Sequence, residues 1–99
     1  MDMLILQTLH TMGSMHGWGI ARRIEKISED RVNLNYGTVY PALIRLEQKG
    51  WIKSSWGTSE NNRRAKFYIL SNLGMSQLEV EKQSWREITA FVSRILEES

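Results

Sequence analysis

The chain has 99 residues, a hydrophobic fraction of 41% and a formal net charge of +2, values typical of one small globular domain with a single modest core. The absence of cysteine excludes a disulfide framework, and no apolar run approaches the roughly 18 residues of a membrane span. The apolar N-terminal segment has no basic region before it, so we expect no secretory signal and a cytoplasmic location.

Two amphipathic helices are expected first along the chain. Apolar residues recur at helical spacing over residues 2–12 and again from about Gly17 to Ser28. The predicted buried stripes are Ile5, Leu9 and Met12 in the first helix and Ile20, Ile24 and Ile27 in the second. Gly13 is the predicted stop of the first helix. His16 is expected to cap the second helix or to orient it.

A third helix is predicted from about Tyr36 to Lys49, with Asn35 as its N-cap. Its core face is predicted to carry Val39, Leu43 and Leu46. Its outer face is predicted to carry Thr38, Pro41, Arg45 and Gln48. Pro41 is tolerated because it lies near the start of the helix, where few backbone hydrogen bonds are lost. An amphipathic helix with a cationic outer face is suited to the DNA major groove.

Two strands are predicted next, Trp51 to Trp56 and Ala65 to Leu70, because both segments are rich in aromatic and β-branched residues. Between them we predict a polar loop over residues 57–64. Three cations lie at the tip and on the returning strand, namely Arg63, Arg64 and Lys66. They either clamp DNA phosphates or the minor groove, or they form only a solvated surface.

A long final helix is predicted over residues 73–97. Its apolar seam, in an a/d-like spacing, comprises Leu78, Trp85, Ile88, Val92 and Ile95. Glu81 interrupts the seam. A domain this small cannot cover both sides of such a helix, so we predict that part of the seam pairs with a second copy of the chain. The alternative is that the seam packs back onto the first helix, and both can hold along different lengths.

The order of these elements predicts a mainly α protein with a small β-hairpin (α+β). It is a winged helix-turn-helix domain over residues 1–71, followed by a C-terminal dimerisation helix over residues 72–99. Residues 1–70 hold 10 Lys/Arg against 6 Asp/Glu, whereas residues 71–99 hold 3 against 5. The basic excess therefore lies in the predicted DNA-binding part. His10 and His16 are the only histidines, and we predict no metal site, no cofactor and no catalytic group.

Three segments give the chain a family likeness over about residues 3–97, namely HGWGIARRIEKIS, NYGTVYPALIRLEQKGWI and WGTSENNRRAKFYILSNLG. They closely resemble the PadR-like transcriptional regulators. The resemblance implies an N-terminal winged helix-turn-helix, a dimerising C-terminal helix and repression of nearby genes. The short tail resembles the compact branch of that family, in which some members hold flat aromatic ligands against a tryptophan of the last helix. Trp85 occupies a similar place.

The candidate DNA-binding residues are Arg22, Asn35, Tyr36, Thr38, Pro41, Arg45, Arg63, Arg64 and Lys66. Arg45 either donates to guanine or a phosphate, or it forms an ion pair with Glu47, Glu29 or another carboxylate. Tyr36 either meets the duplex or caps the core. Arg22 either touches a backbone phosphate or simply faces solvent. Tyr40, beside the core face, is expected to pack rather than to contact DNA.

The predicted function is that of a homodimeric repressor that binds a palindromic operator in double-stranded DNA. A small-molecule effector is a further candidate partner, whereas a membrane is not. Two alternatives remain open. One is a multidrug-type sensor that binds planar aromatic ligands near Trp85, and the other is a winged helix that binds proteins instead of DNA. The cations on the hairpin count against the second alternative, because a protein interface seldom needs so many at one tip.

Overall fold

The computed structural model describes residues 1–29 and 37–98. Of Tyr36 it describes the backbone but not the side chain. Within these residues the chain forms four helices and three short strands. In chain order they are α1 (Asp2–Met12), β1 (Met15–His16), α2 (Gly17–Ile27), α3 (Tyr36–Gln48), β2 (Ile52–Thr58), β3 (Arg64–Leu70) and α4 (Asn72–Glu97). The strands form one antiparallel sheet in the order β1-β3-β2. This is a winged helix followed by a long C-terminal helix, so the predicted fold class is confirmed.

The predicted helix bounds agree with the observed ones to within one residue. Gly13 and Gly50 end α1 and α3 with positive φ angles of 79° and 77°, conformations that glycine adopts without steric cost. His16 caps α2, as expected, since its Nδ1 accepts a hydrogen bond from the Gly19 amide at 3.0 Å. The predicted N-cap of α3, Asn35, lies outside the described residues.

The hairpin differs from its prediction in length. Gly57 and Thr58 pair with Ala65 and Arg64, so both strands continue beyond the predicted ends. The loop therefore spans residues 59–63, and the prediction of an eight-residue loop was wrong. The polar residues concealed the strand ends, because neither glycine nor arginine signals a strand by its type. Asn62 closes the turn with a φ of 57°.

Strand β1 was missed altogether. It consists of two residues, which pair with β3 through Met15 opposite Tyr68 and His16 opposite Phe67. Two residues are too few to show an alternating pattern, so no periodicity in the sequence indicates this strand. Its effect is to tie the start of α2 to the hairpin. The His16 ring packs edge-on against Phe67, with 5.6 Å between the ring centroids.

One hydrophobic core joins the helices to the sheet. Its buried residues are Ile5, Leu6, Leu9, Ile20, Ala21, Ile24, Val39, Ala42, Leu43, Leu46, Ile52, Tyr68 and Leu78. The predictions for Met12 and Ile27 were wrong, because these side chains are 46% and 65% exposed. Each is the last residue of its helix, where the chain passes beyond the layer that covers the preceding turns.

The start of α4 is fixed on the junction between α3 and β2. The Ser71 hydroxyl donates to the Gly50 carbonyl at 2.6 Å and accepts from the Gly74 amide at 3.0 Å. The Ser71 amide donates to the Trp51 carbonyl at 3.0 Å. Beyond Leu78, which is fully buried, α4 leaves the core and its side chains become largely exposed. Among the described residues, no helix is long and apolar enough to cross a bilayer.

Candidate nucleic-acid interface

Helix α3 presents an exposed outer face beside the hairpin. Val39, Leu43 and Leu46 are fully buried, as predicted, which turns the opposite side of the helix outward. The exposed residues of α3 are Gly37, Thr38, Tyr40, Pro41, Ile44, Arg45 and Gln48. This face contains the predicted contacts Thr38 and Pro41, whereas the side chain of Tyr36 lies outside the described part of the chain.

Arg45 lies on the flank of α3 that faces α1 and α4. Its guanidinium donates to the Asp2 carboxylate, 43 residues earlier in the chain. Asp2 and Arg45 line a surface depression that also includes Val80 and Trp85 of α4. The ion pair that the sequence left open therefore forms, with Asp2 as the carboxylate. The Arg45 side chain is still 47% exposed, and a guanidinium has five donors, so contact with DNA remains a prediction for this residue.

The cations of the hairpin differ in their surroundings. Lys66 Nζ lies 3.7 Å from Glu47 Oε1, whose second carboxylate oxygen accepts from Ser54 Oγ at 2.5 Å. Its charge is thus partly balanced by α3. Arg64 lies over the Trp56 ring, with its guanidinium carbon 4.9 Å from the ring centroid. Arg63 is exposed at the end of the loop, and in the described part of the chain it forms no ion pair.

One face of the hairpin continues from the core to the tip. Ile52 and Tyr68 are buried on this face, and alternation along the strands places Trp56, Arg64 and Lys66 on the same side. Beyond the core these three side chains face α3 and the start of α2. They line a groove of about 620 Å³ with His16, Gly17, Trp18, Tyr40 and Ala65. The hairpin and α3 therefore form one continuous surface.

Arg22 lies next to this surface on α2. Its guanidinium carbon is 5.0 Å from the centroid of the Trp18 ring, and its Nη1 lies 3.8 Å from Glu25 Oε1. The Arg22 side chain is 65% exposed. The Arg22 side chain is therefore accessible to a ligand that approaches the groove.

Helix α4 carries a long exposed apolar stripe beyond the part that packs in the core. The large exposed hydrophobic residues of its distal part are Val80, Trp85, Ile88, Phe91, Val92, Ile95 and Leu96. The prediction that Leu78 is a dimer residue was wrong. Leu78 is fully buried in the core, where α4 packs on α1. Packing of the seam back onto α1 therefore applies to the start of α4, whereas pairing of the distal part with a second copy remains a prediction.

Comparison with known proteins identifies the family. The sequence model of the transcriptional regulator PadR-like family matches residues 5–80. The chain belongs to the PadR-like family of transcriptional regulators. Family membership implies DNA binding and agrees with the prediction that the protein is not an enzyme.

Solved structures agree with this PadR-like assignment. The chain is 35% identical to a PadR family transcription regulator from Clostridium difficile R20291, over 96% of both chains and with a TM-score of 0.81. It is 26% identical to a transcriptional regulator from Clostridium thermocellum, over 94% of this chain and 86% of that one, with a TM-score of 0.84. A PadR-like transcriptional regulator from Bacillus cereus strain ATCC 14579 shares the fold, at 24% identity over 99% and 92% of the two chains and a TM-score of 0.84.

Sequence reasoning missed the aromatic part of this PadR-like surface. Trp18 and Trp56 received no role, and Tyr40 was expected to pack beside the core, yet it is 41% exposed and lines the groove. One signal was available. Alternation along the strand puts Trp56 on the same face as the polar residue Ser54. The observed register agrees, because the cross-strand partner of Trp56 is the cation Lys66. Trp18, by contrast, is brought to the groove by β1, which no sequence pattern indicates.

Proposed function

We propose that this PadR-like regulator is a homodimeric repressor that binds a palindromic operator, with α3 in the major groove and the hairpin on the backbone or in the minor groove. The observation that carries this proposal is the continuous surface of α3 and the hairpin. Its outer helix face is exposed and carries the polar side chains of Thr38, Arg45 and Gln48 beside the apolar side chain of Ile44. A helix presented in this way fits a major groove about 12 Å wide.

The charges on this surface suit a polyanion. Arg63 and Arg64 are exposed at the tip of the hairpin, and Arg22 is exposed on α2. Because phosphate contacts position a protein on the duplex without reading sequence, we assign the arginines of the hairpin to the backbone. Thr38, Pro41 and Arg45 are assigned to the base-reading face. Arg45 reaches the duplex by exchanging Asp2 for a base or a phosphate.

The apolar stripe of α4 supports a dimer. Trp85, Ile88, Val92 and Ile95 are 44–56% exposed in one protomer, and a stripe of this kind is usually covered by a partner. Two-fold pairing through α4 would place the two α3 helices about 34 Å apart, one turn of DNA, and so predicts a palindromic operator. Residues 1–71 then bind DNA and residues 72–99 dimerise, in a protein of the cytoplasm.

A second candidate function is ligand sensing near Trp85. A depression of about 740 Å³ lies between the start of α1, Arg45 and α4, and its lining includes Trp85 and Ile88. A planar aromatic ligand stacked on Trp85 would lie close to the Arg45–Asp2 ion pair, and thus close to α3. Quenching of tryptophan emission by planar aromatic cations, lost in Trp85→Leu, would favour this function. The third alternative, a protein-binding winged helix, has no specific contact that favours it.

Two single substitutions test the assignment of roles on the DNA. Arg63→Ala is expected to weaken binding to all duplexes alike and to reduce the slope of log affinity against log salt by about one unit, since one phosphate contact is lost.

Arg45→Ala is expected to cost about 1–3 kcal/mol of binding and to relax preference at one base pair, since a base contact is lost. Both are measured by fluorescence anisotropy with matched duplex variants at several salt concentrations. Unchanged affinity in both variants would refute the placement of α3 and the hairpin.

A further inference from the structure

Two exposed tryptophans line the groove between α2, α3 and the hairpin. Trp18, in the first turn of α2, is 55% exposed, and Trp56, on β2, is 60% exposed. Tyr40 of α3 also lines the groove. Large aromatic side chains that are half exposed in the same groove indicate a surface that another molecule covers.

Each tryptophan carries an arginine on its ring. Arg22 lies 5.0 Å from the Trp18 centroid, and Arg64 lies 4.9 Å from the Trp56 centroid. A guanidinium has five N–H donors, and contact with one ring face leaves donors available to an anion. The groove therefore combines flat apolar surfaces with a guanidinium beside each tryptophan.

We propose that this groove holds one sugar–phosphate strand of the bound duplex, with deoxyribose rings against Trp18 and Trp56 and phosphates on the donors of Arg22 and Arg64. This inference rests on the proposed function and extends it from the arginines to the tryptophans. Charge complementarity favours this occupant, because a backbone strand alternates apolar sugars with anions. The groove is also continuous with the exposed face of α3 through Tyr40. A small aromatic ligand is less suited, since such ligands are usually enclosed on most sides.

Two carboxylates lie beside cations of this region. Glu25 is paired with Arg22 at 3.8 Å, and Glu47 holds Lys66 at 3.7 Å. Lys66 is thereby directed to α3, whereas the Arg64 guanidinium is held on Trp56. Trp56 is thus a positioning residue for Arg64 as well as a contact, and its loss affects both.

The double variant Trp18→Leu with Trp56→Leu tests the inference, because leucine keeps apolar character but has neither a flat face nor a cation–π partner for arginine. We expect it to bind a duplex from the gene's own upstream region and a scrambled duplex about tenfold more weakly than wild type, by the same factor for both. The change in tryptophan emission that wild type shows on adding duplex is expected to be lost, although Trp51 and Trp85 remain.

Two control variants separate this effect from a loss of folding. Ile69→Ala removes another exposed apolar side chain, which lies on the opposite face of β3 by strand alternation, and is expected to leave affinity unchanged. Trp18→Tyr with Trp56→Phe keeps two flat rings and is expected to retain most of the affinity. Circular dichroism is used to check that all three variants are folded.

Three outcomes would overturn the inference. Wild-type affinity in the leucine variant would show that the groove does not hold the backbone, while leaving the proposed function intact. A loss confined to the upstream duplex would indicate base reading instead. Failure of wild type itself to bind either duplex at low salt would refute the proposed function, and the inference with it.

Discussion

Gly74→Ala is expected to lower the free energy of unfolding by about 3 kcal/mol or more, at the upper end of the cost of overpacking. A Cβ atom at this position would lie 1.9 Å from the Trp51 carbonyl oxygen and 2.8 Å from the Leu70 side chain. The first of these neighbours is backbone, so it cannot move without shifting the start of β2. The substitution therefore forces α4 away from the junction and breaks the hydrogen bonds of Ser71.

The sign of this effect distinguishes packing from helix propensity. Gly74 lies in the first turn of α4, and alanine is favoured over glycine in a helix interior by about 1 kcal/mol, so propensity alone predicts stabilisation. Urea denaturation of Gly74→Ala decides between the two. Ser76→Ala, at an exposed position of the same helix, is the control and is expected to be neutral or slightly stabilising. A variant as stable as wild type would show that α4 does not approach Trp51 this closely.

Replacing Ile88 and Val92 by glutamate is expected to convert the proposed dimer to a monomer and to weaken operator binding by about 10²- to 10⁴-fold, because the two half-sites are no longer bound by one linked molecule. Both side chains are about half exposed in the protomer, at 51% and 44%, so the charges do not disturb its core. Burying two unpaired carboxylates in a dimer interface is, by contrast, strongly unfavourable.

Sedimentation equilibrium and fluorescence anisotropy measure the two consequences on the same samples. The matched control is Gln83→Glu with Ala90→Glu, which adds the same charge on the other side of α4 by helical spacing. We expect the control to remain dimeric and to lose at most a small factor in affinity from the added charge. A dimeric Ile88→Glu, Val92→Glu variant would show that α4 does not form the interface through this stripe.

The fold followed closely from sequence patterns because its helices are strongly periodic. Val39, Leu43 and Leu46 are buried as their spacing predicts, and Gly13 and Gly50 mark helix ends through a backbone conformation that favours glycine. Ile27 was misplaced because periodicity gives the direction of a side chain but not how far the neighbouring elements extend. Residues at the end of a helix are therefore the least certain part of a predicted core.

The candidate site was less accessible to sequence reasoning, because it depends on contacts between distant segments. The pair Arg45–Asp2 joins α3 to the start of α1, and Trp18 reaches the groove only because β1 ties α2 to the hairpin. Spacing along one helix cannot predict either contact. The strand pattern also could not predict the partners of the hairpin cations, which differ: Lys66 lies near Glu47, and Arg64 lies over the Trp56 ring.

We propose above all that the surface of α3 and the hairpin binds DNA with sequence preference. Its most direct test is fluorescence anisotropy of a labelled duplex from the gene's own upstream region, titrated at low and moderate salt beside a scrambled duplex of the same composition. We expect tight binding that keeps a preference of roughly a thousandfold over the scrambled duplex. Absence of binding to either duplex at low salt would contradict the claim and would favour a winged helix that binds protein.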